Sequence, residues 1–379
     1  MSVSTVKPIH EHSVPWFWPM AAAIEIEEAG LKAFEDNLRY AFEAAALEVP
    51  PPPRWATPNR ILRDLDTMRL RDFSPVGSDD RTLPVLVDAP YAGHSSTIAD
   101  YAKGQSLVET LLANGLTRVF VTDWKGATAG MRDFDIDKYL AELNVVVDDL
   151  GGRAHLVGIC QGGWMSAMLA CRFPGKVASL VLAGAPIDTD AGDGPIKRLA
   201  HSLPMSAFEE MVLAGGGRMP GRFMLAGWKN MHPGEQYVGK FIDLYEHIED
   251  RNYIRRTETF ERWYESPLDL PGRYYLQAIG ELFRENRFAR GKFVALGETL
   301  TLRSLTCPLF LLAGEADDIT PKEQVFATER LAATPAERIE KRLVPGGHIG
   351  LFMGSRTLAA AWPQTARWIA VSERREDRP

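Results

Sequence analysis

Cysteine is scarce in this chain of 379 residues: Cys160, Cys171 and Cys307 are the three, far apart and with no CxxC pair. That spacing excludes a zinc ribbon, argues against a disulfide framework and fits a reducing, cytoplasmic compartment. Positive charge is also short, with 43 Lys and Arg against 50 Asp and Glu. No basic face outweighs the acids, so a nucleic-acid partner is not expected. No apolar run approaches the roughly 18 residues of a membrane helix. Internal repeats and low-complexity tracts are missing too, and nothing in the sequence asks for a metal or another cofactor. What remains is 45% hydrophobic and 25% charged, enough for one large domain with insertions or for two domains.

The beginning of the chain divides from the rest. Val14 to Ile24 is apolar and ends its run with alanines, but Pro15 and Pro19 interrupt it and Glu11 precedes it, so it does not read as a secretion signal. From Trp18 to Leu47 the apolar residues Met20, Ile24, Leu31, Phe34, Leu38, Phe42 and Leu47 recur at helical spacing. "VPPPPRWATPNR" then breaks the helix. Residues 1–79 are therefore expected to be a helical extension. It would pack on the main domain or on a second copy in a homo-oligomer, or adhere to an apolar surface through Trp16, Phe17 and Trp18.

From residue 83 the pattern alternates. "LPVLVDAP", "RVFVTDW", "AHLVGI" and "VASLVLAGAP" read as buried parallel strands, and the segments between them as helices that stop at Gly115, Gly151 and Pro174. Residues 188–294 lack apolar strand runs and read as a helical insertion. Alternation resumes at "CPLFLLAGEADDITP", so residues 80–187 and 295–372 form one α/β core with a doubly wound, mostly parallel sheet.

One turn in that core stands out. In "HLVGICQGGWMSAML", Cys160 sits between a strand and a helix, with Gly158 and Gly162 two residues to either side. Small neighbours let a chain make a strained turn that lifts the central side chain above the sheet, and the helix N-terminus behind it stabilises a thiolate. The competing reading is a small apolar residue in an ordinary turn. The partners of a nucleophile then follow in order. Asp317 and Asp318 come after the strand "LFLLAGE", and His348 after "KRLVPGG", each past the carboxyl end of a strand. Oxyanion N–H groups are expected from the backbone of Tyr91 or Ala92 and from Gln161. His94 in "APYAGHSS" is placed at the pocket, with Trp164 and Asp318 as further substrate contacts. Cys171, Cys307, His155, Asp123 and Trp124 read as structural.

The stretch from about 80 to 370 resembles the polyhydroxyalkanoate synthase and intracellular polyhydroxyalkanoate depolymerase group of α/β-hydrolases. "GICQGG" is similar to the synthase box, and "LFLLAGEADDITP" and "VPGGHIGLFMGSR" are similar to the acid and histidine loops of both branches. The resemblance implies an α/β-hydrolase fold with a lid, a Cys160–Asp317–His348 triad with the first aspartate as the acid, and polymer or small-ester substrates at apolar granules. "APYAGHSSTIADY", "VTDWKGA" and the run before residue 300 look closer to the depolymerase, whereas the box looks closer to the synthase. Hydrolysis of polyhydroxyalkanoate is the first expectation. Synthesis from 3-hydroxyacyl-CoA, small-ester hydrolysis and granule binding without catalysis are the alternatives. An uncharged polymer needs an apolar groove, for which Trp164, Trp228, Trp263, Tyr264 and Phe283 are available, whereas coenzyme A phosphates need basic residues near the mouth, for which Arg255, Arg256, Arg284 and Arg287 are available.

Overall fold

The computed structural model describes residues 52–79, 81–231 and 251–376, the side chains within 228–231, 251–257 and 373–376 excepted. Its centre is an eight-stranded sheet. In chain order the strands are β1 (Arg60–Asp64), β2 (Met68–Asp72), β3 (Val85–Asp88), β4 (Val119–Trp124), β5 (Ala154–Ile159), β6 (Val177–Ala183), β7 (Leu309–Gly314) and β8 (Ile339–Val344). Their spatial order is β1-β2-β4-β3-β5-β6-β7-β8. β1 pairs antiparallel with β2, β2 pairs antiparallel with β4, and every later pair is parallel. This is the α/β-hydrolase arrangement.

β3 through β7 are buried along their whole length, which is why they read as unbroken apolar runs: helices cover both faces. The covering helices include α1 (Leu107–Ala113), α2 (Ile136–Asp149) and α3 (Gln161–Arg172). In α2 the buried residues Ile136, Tyr139, Leu140, Leu143, Val146 and Val147 form one stripe, and Asp135 caps the start by accepting from Lys138 N at 3.2 Å. Gly151 at φ 111° and Gly152 at φ 83° stop it with a conformation other residues resist.

The sheet corrects the expected boundary at residue 79. β1 and β2 lie inside the supposed helical extension and form one edge of the sheet. β2 alternates, with Met68, Leu70 and Asp72 buried and Arg69 and Arg71 half-buried, while β1 is exposed throughout. Charged residues on such an edge discourage pairing with another chain, and they also hide the strand from an apolar-run criterion. The expected helix from Trp18 to Leu47, with Trp16, Phe17 and Trp18, lies outside the described residues.

The insertion leaves after β6. Among the described residues its helices are α4 (Pro195–Ser202), α5 (Met205–Ala214), α6 (Gly221–Met231), α7 (Arg251–Tyr264) and α8 (Gly272–Gln277), followed by a π-helical segment at Ala278–Arg284. One short ladder, Arg218–Met219 with Leu270–Pro271, adds strand character that the sequence did not suggest. Both stems of the insertion are stitched together by Asn286. Its Nδ2 donates to Asp188 Oδ1 at 2.7 Å and to Asp190 Oδ2 at 3.0 Å, and its Oδ1 accepts from Thr189 N at 3.2 Å. The core then closes with α9 (Lys322–Leu331), α10 (Gly350–Met353), α11 (Ser355–Ala360) and α12 (Trp362–Glu376). Among the described residues no helix is long and apolar enough to cross a membrane.

The turn from β5 to α3 admits no side chain at its glycines. A Cβ on Gly162 would sit 2.0 Å from the Asp88 carbonyl oxygen, one on Gly158 2.5 Å from Gly163 Cα, and one on Gly163 2.3 Å from Ala185 Cβ. Backbone atoms cannot rotate away from such an overlap. Gly162→Ala is expected to cost about 3 kcal/mol or more in urea unfolding, the upper range for overpacking. Gly175→Ala, whose Cβ would meet open space, should stay within about 0.5 kcal/mol of the parent. Equal costs at the two positions would contradict the packing described.

Candidate active site

Cys160 occupies the peak of that turn at φ 53° and ψ −121°, a left-handed region that ordinary residues leave vacant unless the surrounding structure enforces it. The enforcement is visible. Cys160 N donates to Ala183 O at 2.8 Å, Gly163 N donates to Cys160 O at 2.9 Å, and the three glycines admit neighbouring backbone at close range. Cys160 is half-buried and stands at the N-terminus of α3.

The acid and the histidine arrive from the next two strands. Asp317 follows β7 and His348 follows β8. His348 Nδ1 donates to Asp317 Oδ2 at 2.8 Å and lies 3.0 Å from Oδ1. Asp317 is fixed by its own loop, since Oδ1 accepts from Ile319 N at 3.0 Å and Thr320 N at 2.8 Å. Asp318 is exposed at the cavity rim and is not the partner of His348. Burial works against a charged imidazole at His348, but the adjoining Cys160 and Asp317 outweigh it, and its pKa is raised well above the ordinary histidine value. The ring couples to Cys160 on its other side without a well-formed hydrogen bond from Nε2. Such contacts are loose in empty sites and tighten around substrate.

Cys160 and His348 open into a cavity of about 680 Å³ that also touches Ala92, His94, Gln161, Trp164 and Asp318. Tyr91 does not line it. Its side chain is fully buried, stacks on Tyr139 at 5.0 Å, and donates from Oη to Lys125 O at 2.9 Å. The structure therefore brings Ala92 to the cavity and turns the Tyr91 side chain into the core, while the oxyanion expectation for both concerns their main-chain N–H groups. Asp123 pairs with Arg71 at 2.7 Å and Trp124 Nε1 donates to Ala89 O at 2.8 Å, so both are structural. His155 is buried against Ser179 Oγ at 2.8 Å, and Cys171 is buried on α3.

The insertion roofs the cavity with aromatic rings. His94 stacks on Trp263 at 4.8 Å and on Tyr264 at 5.1 Å, and its Nε2 lies 3.1 Å from Tyr264 O. Trp263 Nε1 donates to Ser95 O at 3.0 Å, and Leu268 N to Gly93 O at 2.7 Å. The lid is thus fastened to the loop after β3. Trp263, Tyr264 and Phe283 line the cavity, as expected of the apolar groove; the side chain of Trp228 lies outside the described residues. Arg284 and Arg287 do not serve the mouth. Arg284 Nη1 donates to Ala200 O at 2.9 Å and Leu203 O at 2.6 Å, while Arg287 pairs with Glu285 at 2.6 Å and Glu281 at 3.2 Å. Arg255 and Arg256 lie outside the described side chains.

Two residues of the site escaped the sequence reading. Tyr274 on α8 accepts from Gln161 Nε2 at 3.1 Å and so ties the lid to the residue after Cys160. Asp88, at the end of β3, is wholly buried beneath the turn. Ser166 Oγ donates to its Oδ2 at 2.9 Å and Thr122 Oγ1 lies 3.3 Å from its Oδ1. An aspartate inside an apolar strand was the signal available for it.

These features define an enzyme-like site on an α/β-hydrolase fold. A monoacylglycerol lipase from Paleococcus ferrophilus superposes with a TM-score of 0.50 at 18% identity, over 80% of this chain and 99% of that one, which carries the fold alone. The family model described as "Protein of unknown function (DUF3141)" matches residues 65–330, and the chain belongs to that family. A relative from Haloferax mediterranei, named poly(3-hydroxyalkanoate) polymerase subunit PhaC, is 28% identical over 325 residues, or 83% of this chain. The chain spans 64% of that relative's length. A protein of the same name from Synechocystis is 27% identical over 83% of this chain and 84% of its own length.

Burial pushes the Asp88 pKa up to about 8, against the hydrogen bonds of Ser166 and Thr122. The folded protein therefore holds a proton that the unfolded chain releases near pH 4. The stability this contributes is complete below about pH 4 and is lost as pH rises to about 8. Asp88→Asn fixes the neutral form. Its stability relative to the parent should climb by a few kcal/mol between pH 4 and pH 8 in urea titrations. A difference that stays flat across that range would contradict a protonated Asp88.

Proposed function

We propose that this protein is a cysteine-dependent acyl-transfer enzyme acting on 3-hydroxyalkanoate esters or thioesters. The observation that carries the reading is the meeting of Cys160, at a strained strand–helix turn, with the His348–Asp317 pair in one apolar cavity. In this mechanism His348 takes the Cys160 thiol proton as the sulfur attacks the acyl carbonyl. A carbon–sulfur bond forms, the bond to the leaving group breaks, and His348 delivers the proton to that group. Asp317 holds the imidazole in register through Nδ1. The N–H groups of Ala92 and Gln161 receive the developing oxyanion. His348 then takes the proton of a hydroxyl group that attacks the acyl thioester and frees Cys160.

The acceptor hydroxyl sets the direction. Relatives named as poly(3-hydroxyalkanoate) polymerase subunits favour a chain-end hydroxyl, with coenzyme A as the first leaving group. The hydrolytic reading, in which water is the acceptor and an uncharged polymer the substrate, has its own support: Arg284 and Arg287 are committed to protein partners rather than to coenzyme A phosphates. In either direction the protein would work at an apolar polymer surface, and assembly with further copies of itself belongs to the same proposal.

Two incubations separate the directions. With 3-hydroxybutyryl-CoA, the polymerase reading expects free CoA together with polymer; with native granules, it expects no soluble hydroxyacid. Hydroxyacid from granules without polymer growth would assign hydrolysis instead. In whichever assay is active, Cys160→Ala should lower turnover by about 10³-fold or more, whereas Cys171→Ala should retain it. Asp317→Asn should cost about 10³- to 10⁴-fold and Asp318→Asn far less. Residual activity of Cys160→Ala within tenfold of the parent would reject the nucleophile.

A further inference from the structure

Two walls of the insertion run outward from the catalytic residues and line the same cavity. The first begins where Gln161 Nε2 donates to Tyr274 Oη at 3.1 Å, and it continues along α8 into the π-helical segment Ala278–Arg284. The wide winding of that segment, with Glu285 N donating to Gly280 O at 3.0 Å, stacks residues four and five apart, so Ala278, Ile279 and Phe283 share a face. The second wall begins at the acid loop. A Cβ on Gly194 would lie 3.2 Å from Pro321 Cδ, which sets the start of α4 beside the loop that carries Asp317. From there Pro195, Ile196 and Leu199 line the cavity, the last two one helical turn apart. Ala278, Ile279 and Phe283 line it as well. The walls are joined at their far ends, where Arg284 Nη1 donates to Ala200 O at 2.9 Å and Leu203 O at 2.6 Å.

These six side chains carry no charge and no hydrogen-bonding atom. The cation beside them, Arg198, pairs with the exposed Asp193 at 2.7 Å. A polar group between the walls would lose its water and gain no side-chain partner from them, whereas an alkyl chain gains with each methylene it buries. Size points the same way. A four-carbon hydroxyacyl group has six heavy atoms and fills about 180 Å³, at the share that a water molecule takes in its liquid. The cavity holds about 680 Å³. With half of it given to the leaving group or acceptor beside Cys160, room remains for an acyl group of roughly ten heavy atoms. We propose that the slot between α4 and the π-helical segment takes the alkyl tail of the acyl group, and that the enzyme prefers acyl groups of about eight carbons over those of four. This rests on acyl transfer at Cys160 and names the acyl groups it serves. Each added methylene should raise kcat/KM by about fourfold until the slot is full. A four-carbon group is then turned over, more slowly than an eight-carbon one.

The test uses the full chain and the p-nitrophenyl esters of butanoic, hexanoic and octanoic acids, each below the concentration at which it aggregates. Their reacting carbonyls are alike, so the ratio of kcat/KM for the octanoyl ester to that for the butanoyl ester reads the slot. The parent should favour the octanoyl ester by more than about tenfold. Ala278→Phe on one wall and Leu199→Trp on the other each place a large ring in the slot, and should lower the ratio by about tenfold or more. Leu199 is only half-buried, so Leu199→Trp keeps the comparison available should Ala278→Phe fail to fold. A parent ratio at or below unity, or a ratio unchanged in the folded variants, would overturn the proposal. A second measurement does not depend on turnover: calorimetric binding of butanamide and octanamide to Cys160→Ala. Octanamide should bind more than about tenfold tighter, and equal affinities would likewise overturn the slot. Nitrophenol release that persists in Cys160→Ala would instead overturn the acyl-transfer reading and leave the amide result standing.

Discussion

The site depends on one close approach of backbone to backbone. The chain must turn from β5 into α3 so sharply that Cys160 takes φ 53°, and it can do so only because Gly158, Gly162 and Gly163 carry no Cβ. Gly162 lies against the Asp88 carbonyl, so the turn is held down by the end of β3, the strand whose following loop brings Ala92 and His94 to the cavity. Cys160, the loop after β3 and the cavity wall are thus set by the same contact. Asp88 adds a fully buried anchor at that point through Ser166 of α3 and Thr122 of β4.

Much of this was legible in the sequence because the physics is local. β3 to β7 are covered on both faces, so their residues had to be apolar in succession. The glycines around Cys160 marked a backbone that tolerates no side chain, and the ends of β7 and β8 placed Asp317 and His348. The geometry also separated Asp317 from Asp318: main-chain donors from Ile319 and Thr320 hold the first, while the second stands exposed at the rim.

The rest was hidden for physical reasons. β1 and β2 form a charged edge with at most one buried face, so no apolar run announced them. Tyr274 meets Gln161 across 113 positions of sequence, a contact that only the folded lid creates. The buried side chain of Tyr91 likewise follows from tertiary packing with Tyr139 and Tyr274 rather than from any feature of the segment "APYAG". Arg284 and Arg287 looked available to a phosphate as sequence, and their partners within the insertion remove them from that role.

The account's central claim is a covalent acyl group on the Cys160 sulfur, common to synthesis and hydrolysis. The direct measurement is acid quench of the protein within its first turnover of a 3-hydroxyacyl ester or thioester, followed by peptide mass analysis. The account predicts one hydroxyacyl group on the peptide carrying Cys160, labile to hydroxylamine as a thioester is, and none in Cys160→Ala. Turnover with no adduct on that peptide, or an adduct on another residue, would contradict it.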